Sequence, residues 1–174
     1  MDTTTNTTPR VYIACLASYN AGILHGKWAD AIDADELRAS IDDVLKTSPT
    51  EGAEEYAIHD YDGLPSSFGE WPDVDELCKF GALINDGIDV NVDAWAIFWE
   101  SDSFDSVDEA YDAYQESYIG EQDLVDYAEE LFDELYGHTE AYKMMHHYID
   151  YAKFARELEI EGYWEQDGHL FRPY

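Results

Sequence analysis

Residues 104–136, FDSVDEAYDAYQESYIGEQDLVDYAEELFDELY, carry two amphipathic helical patterns in succession. Val107, Ala110, Tyr111, Tyr114 and Tyr118 recur at spacings of three and four, so a helix turning ~100° per residue gathers them into one apolar stripe. Asp105, Asp108, Glu109, Asp112 and Glu116 fall on the opposite face. The second half repeats the plan, with Leu124, Tyr127, Ala128, Leu131 and Leu135 as the stripe and Asp126, Glu129, Glu130, Asp133 and Glu134 pointing away. Gly137 is expected to close this second helix in the left-handed conformation.

The spacing of the acids is informative. At ~1.5 Å of rise per residue, the five from Asp126 to Glu134 span about 12 Å and the five from Asp105 to Glu116 about 16 Å. That is one negative charge per ~3 Å, near the ~3.4 Å per charge of a single DNA strand. Like charges at i,i+4 cost a helix a few tenths of a kcal/mol each, and no lysine or arginine lies between Phe80 and Tyr142 to relieve them. Ordinary solvation does not require such repulsion. The pattern predicts a surface that imitates the phosphate backbone of a nucleic acid.

The rest of the composition places these two rods on a folded body. A hydrophobic fraction of 45%, with 15% aromatic residues over 174 positions, is too rich for a disordered acidic tail. Against 40 acids stand 9 bases, a formal net charge of −31. Such a molecule repels nucleic acid and anionic membranes and attracts basic partners through fast, salt-sensitive association. Cys15 and Cys78 have no paired spacing, which argues against a disulfide framework and a structural zinc site. The N-terminus reads without a signal peptide, and the longest apolar run, Ala94 to Trp99, is far shorter than the ~20 residues of a membrane helix. A soluble, cytoplasmic protein is expected.

Working outward, Val11 to Ala17 reads as a strand, Ser18 to Gly22 as a turn, and Ile23 to Asp30 as a return strand in which Gly26 permits close backbone approach. Asp33 caps a helix whose stripe is Leu37, Ile41, Val44 and Leu45, ended by Thr47-Ser48-Pro49. Glu55 to Tyr61 gives a third strand. Beyond it, Pro72 suits the first position of a helix with Val74, Leu77, Cys78 and Gly81 inward, broken at Asn85-Asp86-Gly87. Val92 to Trp99 reads as a buried helix, Ala141 to Ile160 as a helix carrying Lys143, Lys153 and Arg156, and Asp167-Gly168 as the turn of a closing hairpin.

Several constellations compete with the phosphate-imitating reading. Paired carboxylates serve glycoside hydrolases, but among 40 acids nothing singles out one pair. Asp89, Asn91, Asp93 and Glu100 match positions 1, 3, 5 and 12 of a calcium loop, yet Ala94 stands where the sharp turn needs glycine. His146 and His147 with Asp150 offer no third ligand at recognisable spacing, and adjacent helical histidines are expected to point apart. His59 beside Asp60 reads as structural. The tyrosine stripe reads as core, with hydroxyls reaching water at its edge, rather than as a platform for bases. No catalytic residue, metal or cofactor is expected. General halophilic acidity would spread carboxylates evenly; here Glu51 to Glu140 holds 27 acids with only Lys79 as a base, whereas Ala141 to Tyr174 holds 6 acids and 4 bases. A binding module for basic nucleoid proteins remains a further reading.

Three blocks bring a family into view: Leu16-x-x-Tyr19-x-x-Gly22-x-Leu24-x-Gly26-x-Trp28-x-Asp30, then Glu54-Glu55-Tyr56-x-Ile58-x-Asp60-Tyr61-Asp62-Gly63-Leu64-Pro65, then Tyr148-Ile149-Asp150-Tyr151. From Val11 onward the chain resembles the ArdA-type antirestriction proteins. The resemblance implies an elongated α+β protein of three small domains: an α/β N-terminal domain at 10–63, a helical middle domain at 64–102 and an α/β C-terminal dimerisation domain at 103–174, with 1–9 a disordered extension. It implies carriage on mobile elements such as plasmids, transposons and phages. It also implies a homodimer that mimics bent B-form DNA and occupies the DNA-binding groove of Type I restriction-modification enzymes, on their specificity and methyltransferase core, without binding nucleic acid itself. The family's short antirestriction segment corresponds to Leu124–Gly137.

Overall fold

Arg10–Cys15 forms β1, a β-branched and aromatic run in which Val11, Ile13 and Cys15 are fully buried. The computed structural model describes residues 8–88 and 90–174; of the extension expected at 1–9, residues 1–7 lie outside the described residues, and Pro9 is fully buried, its carbonyl accepting the Ala31 N–H. The chain divides into two compact units, Met1–Ala110 and Tyr111–Tyr174. Mixed α+β architecture is present in both, as the sequence predicts.

In the first unit β1 runs directly into a short helix, α1 (Leu16–Asn20), where the sequence reading expects strand and turn. The chain turns at Gly22, whose φ of 75° favours glycine, and returns as β2 (Gly26–Asp30). Gly26 pairs with Ala14 of β1, and a Cβ there would lie 2.3 Å from the Ile13 carbonyl oxygen. The Asp33 carboxylate accepts from the Asp35 and Glu36 N–H groups and starts α2 (Ala34–Lys46), which buries Leu37, Ile41 and Val44. β3 (Tyr56–Asp62) pairs with the other edge of β1, giving an antiparallel sheet of order β2-β1-β3. The three strands and capped helix expected here are present.

A short 3-10 turn at Ser66–Phe68 leads to α3 (Val74–Asn85) and α4 (Val92–Ser101). Pro72 is not the first helical residue. Asp73 takes the cap because its carboxylate accepts from the Asp75 and Glu76 N–H groups, which moves the start past the proline. The continuous apolar run is the buried helix expected: Ala94, Trp95 and Phe98 of α4 are fully buried, and Phe80 stacks on Trp95 with ring centroids 4.5 Å apart. Arg38 of α2 reaches Asp75 of α3 at 2.6 Å.

α5 (Val107–Ser117) crosses from the first unit into the second. It ends one residue before Tyr118, which the periodicity assigns to the helix, because Tyr118–Glu121 forms a strand, β4. Then come α6 (Leu124–Tyr136), α7 (Glu140–Met145), a 3-10 turn at His146–Tyr148 and α8 (Tyr151–Ile160). The single helix expected over Ala141–Ile160 is therefore broken. Ile149 is extended, and the Asp150 side chain accepts the Lys153 N–H to begin a new helix. β5 (Trp164–Gln166) and β6 (His169–Phe171) form the expected hairpin, with Asp167 (φ 51°) and Gly168 (φ 81°) both left-handed as a type I′ turn requires. The sheet order is β4-β6-β5, and Leu124, Ala128, Ala155, Leu158 and Leu170 make the core between α6, α8 and this sheet.

Candidate functional site

The first acidic rod starts from a capping arrangement. Ser106 Oγ accepts the Glu109 N–H at 3.2 Å, and the Glu109 carboxylate accepts the Asp105 N–H at 3.0 Å. Asp105 consequently stands before α5, and the helix itself carries Asp108, Glu109, Asp112 and Glu116 within an arc of about 100°. Glu76 of α3 anchors this end: one of its oxygens accepts the Val107 N–H and the other the Lys79 ammonium, each at 2.7 Å. Lys79 lies 3.7 Å from Asp108. The Glu76 carboxylate first, and Asp108 after it, hold the Lys79 ammonium above its ordinary pKa. At the other end Arg172 Nε donates to the Glu116 carbonyl at 2.7 Å, a cation on the negative pole of the helix.

The second rod, α6, starts where the Asp123 carboxylate accepts from the Val125 and Asp126 N–H groups and the Glu165 carboxylate accepts the Leu124 N–H at 3.0 Å. Leu124 and Ala128 are buried, Tyr127 and Leu131 partly so, while Leu135 at the end of the stripe is 48% exposed. Asp126, Glu129, Glu130, Asp133 and Glu134 are all exposed. The Tyr142 phenol is held above its ordinary pKa by hydrogen bonds to Tyr151 and to Asp133. Gly137 differs from expectation: it is right-handed (φ −56°), and its small size is needed because a Cβ would lie 2.5 Å from the Asp133 carbonyl oxygen.

All ten acids singled out by the sequence are exposed. Of these ten, only Asp108 has a cation within salt-bridge distance among the described residues. On each helix the charges recur every ~3 to 4 Å along the axis. Such an array offers ion pairing to a cationic partner. Of the tyrosines beneath it, Tyr114 departs from the expected water edge, being 2% exposed and stacked on Tyr118, whose hydroxyl lies 3.1 Å from His169 Nδ1, while Tyr111, Tyr118 and Tyr127 are half-buried.

Of the first two motif blocks, Gly26, Trp28 and Asp30 lie on β2 and Tyr56, Ile58, Asp60, Tyr61 and Asp62 on β3. Trp28 and Asp60 flank Tyr12 from β2 and β3, with the Trp28 ring edge-on to Tyr12 at 5.6 Å and Arg10 over its face at 5.1 Å. Tyr61 donates its hydroxyl to the Gly69 carbonyl, and burial pushes its pKa up. Leu16 and Tyr19 lie on α1, Gly22 in the turn after it, and Leu24, before Gly26, is 88% exposed. His59 is packed edge-on against Tyr19.

Asp89 of the calcium-loop pattern lies outside the described residues. Asn91 is committed elsewhere, its side chain capping α4 by accepting from the Asp93 and Ala94 N–H groups. His146 and His147 do not point apart. In their 3-10 turn the rings lie 3.8 Å from one another, and His146 stacks on Tyr142. Among the described residues no group of three or more histidines, cysteines and acids is arranged to hold a metal, and no helix is long and apolar enough to cross a membrane. The sequence reading missed Glu76, Lys79 and Arg172 as anchors of the first rod. Ser106-x-x-Glu109, a capping-box spacing, was the available signal for where that rod begins.

No curated protein matches the chain significantly. The family model described as antirestriction protein (ArdA) matches residues 11–170, nearly the whole chain, and through this match the chain belongs to the ArdA antirestriction family.

Proposed function

We propose that this chain is a DNA mimic that occupies the DNA-binding groove of a Type I restriction-modification enzyme and competes there with DNA. The observation that carries the reading is the array of exposed carboxylates on α5 and α6, unneutralised but for Lys79 at Asp108 among the described residues, with a charge every ~3 to 4 Å along each helix. A groove lined with lysine and arginine to grip phosphates meets the same spacing of anions on a folded scaffold. The protein acts as an inhibitor rather than a catalyst, in the cytoplasm where such an enzyme works. It pairs with a second copy through its C-terminal unit. In support of pairing, Met144, Met145 and Tyr148 are 77%, 59% and 85% exposed, an apolar group of a kind that a lone soluble surface does not favour.

Each exposed ion pair contributes ~0 to 1 kcal/mol, so single acid-to-amide changes do little. Replacing Asp126, Glu129, Glu130, Asp133 and Glu134 together by Asn or Gln should weaken inhibition of methylation by at least ~10-fold, the sum of several such pairs. Unchanged inhibition by the folded variant would remove that face from the mechanism. Titration of the unmodified chain against a Type I enzyme, a basic nucleoid protein and free duplex separates a restriction-enzyme inhibitor from a general binder of basic proteins.

A further inference from the structure

Beside α1 a groove runs along the start of β3. It consists of cavities of about 370 and 500 Å³ that share Leu16 and Trp71 in their walls. We propose that this groove receives an arginine side chain of a basic protein partner. The assignment is independent of the acidic rods on α5 and α6, and adds a contact of different chemistry on the first unit.

Trp71 is 67% exposed and Tyr19 55% exposed, a large aromatic area left in water. Both rings are held in place. Trp71 Nε1 donates to the Tyr56 carbonyl at 3.0 Å, and Tyr19 meets His59 edge-on with centroids 4.9 Å apart. The backbone around them is pinned as well, since the Ile58 N–H donates to the Glu70 carbonyl and the Leu16 N–H to the Glu55 carbonyl. No other aromatic ring packs on Trp71 among the described residues. The carboxylates at the rim, Glu54, Glu55 and Glu70, are exposed and form no ion pair among the described residues.

A fixed aromatic face beside carboxylates fits one kind of side chain best. Guanidinium is planar and weakly hydrated, so it stacks on an indole while its in-plane N–H donors reach acids at the edge. An ammonium is a strongly hydrated point charge and gains less from the flat face. A nucleobase would stack too, but its phosphates would meet the same acids and a molecule of net charge −31. The apolar wall from Leu16 suits the methylene stem of arginine.

The test is an NMR titration of the full-length chain, following the Trp71 indole N–H and the backbone amides of Tyr19 and Glu70. The probes are a blocked Gly-Arg-Gly-Arg-Gly peptide, its lysine and citrulline counterparts, and an octamer of deoxythymidine. The arginine peptide should shift these signals saturably, with the lysine peptide at least ~3-fold weaker and the neutral citrulline peptide without effect. Trp71→Leu should weaken binding ~5-fold, about the weight of one exposed cation–π contact, while Trp71→Phe keeps it within ~2-fold. Glu55→Gln with Glu70→Gln should also weaken it. Signals that do not move, equal responses to arginine and citrulline, or a stronger response to the oligonucleotide would each overturn the assignment. The variant with the α6 acids neutralised should respond to the arginine peptide as the unmodified chain does, so failure of the groove and failure of phosphate imitation are read separately.

Discussion

A glycine inside a helix normally weakens it by about 1 kcal/mol relative to alanine. Gly81 reverses that sign. It lies on α3 against the loop after β2, and a Cβ built there would fall 1.8 Å from the Ala31 carbonyl oxygen. Helix propensity alone predicts that Gly81→Ala stabilises; the packing predicts a loss of about 1–3 kcal/mol, the usual cost of forcing atoms into a filled space. Urea unfolding monitored by circular dichroism decides it, and a raised midpoint would mean that α3 shifts off Ala31 without penalty. Sequence reasoning places Gly81 on the inward face but does not supply the reason for glycine, because the carbonyl it touches is 50 positions earlier in the chain. Gly137 teaches the same lesson. A glycine after a helix suggests a left-handed cap, yet here the demand is steric, set by the Asp133 carbonyl. One side-chain cap was legible, Asp33, which accepts from N–H groups two and three residues ahead, whereas the cap at Asp73 was hidden by the proline before it.

At the scale of the element, α6 holds charge against its own stability. Asp126, Glu129, Glu130, Asp133 and Glu134 create five like-charge pairs at spacings of three or four: 126 with 129 and 130, 133 with 129 and 130, and 130 with 134. Changing Glu129, Glu130 and Glu134 to Gln removes all five and leaves Asp133 to accept from Tyr142. At ~0.2–0.5 kcal/mol per pair, the triple variant should gain about 1–2 kcal/mol at low ionic strength and lose most of that gain in molar salt. Thermal melts at two salt concentrations measure it. A variant no more stable than the parent would show that the carboxylates do not repel one another as the geometry requires. The outward face of α6 was readable from periodicity alone, because helical phase is a local property. β4 was not readable. It exists because Tyr118 pairs with Phe171, and a partner so distant in sequence leaves no mark on the periodicity of 107–118. The break at Ile149–Asp150 escaped for a related reason: the tyrosines and alanines around it keep helical spacing across a point where the Asp150 cap starts a second helix. The first rod was half legible, its charged face apparent and its anchor at Glu76 hidden 31 positions upstream.

At the scale of the whole molecule, the cations are largely committed inside the chain. Arg10, Lys27, Arg38, Lys46, Lys79 and Lys143 each sit within 4 Å of a carboxylate, and Arg172 is bonded to a helix end, so little positive charge remains to offset 40 acids. With the restriction enzyme proposed above, this makes salt a sharper probe than mutation. DNA binding is driven in large part by release of counterions condensed on the duplex, and a protein gripping 6–10 phosphates loses roughly 10³- to 10⁵-fold in affinity between 50 and 200 mM salt. Carboxylates on a folded protein hold no condensed layer of that density. Their pairing weakens mainly by screening over a Debye length of ~10 Å at 0.1 M, and close contacts inside a groove are screened least. The affinity of the enzyme for this protein should therefore fall less steeply with salt than its affinity for DNA, and the ratio of the two should move toward the inhibitor by at least ~10-fold across that range. Competition against a labelled duplex at several salt concentrations yields both slopes from one titration series. Parallel slopes would mean that the protein sheds ions as DNA does, and imitation by fixed shape and spaced charge would then be the wrong account of how it wins the groove.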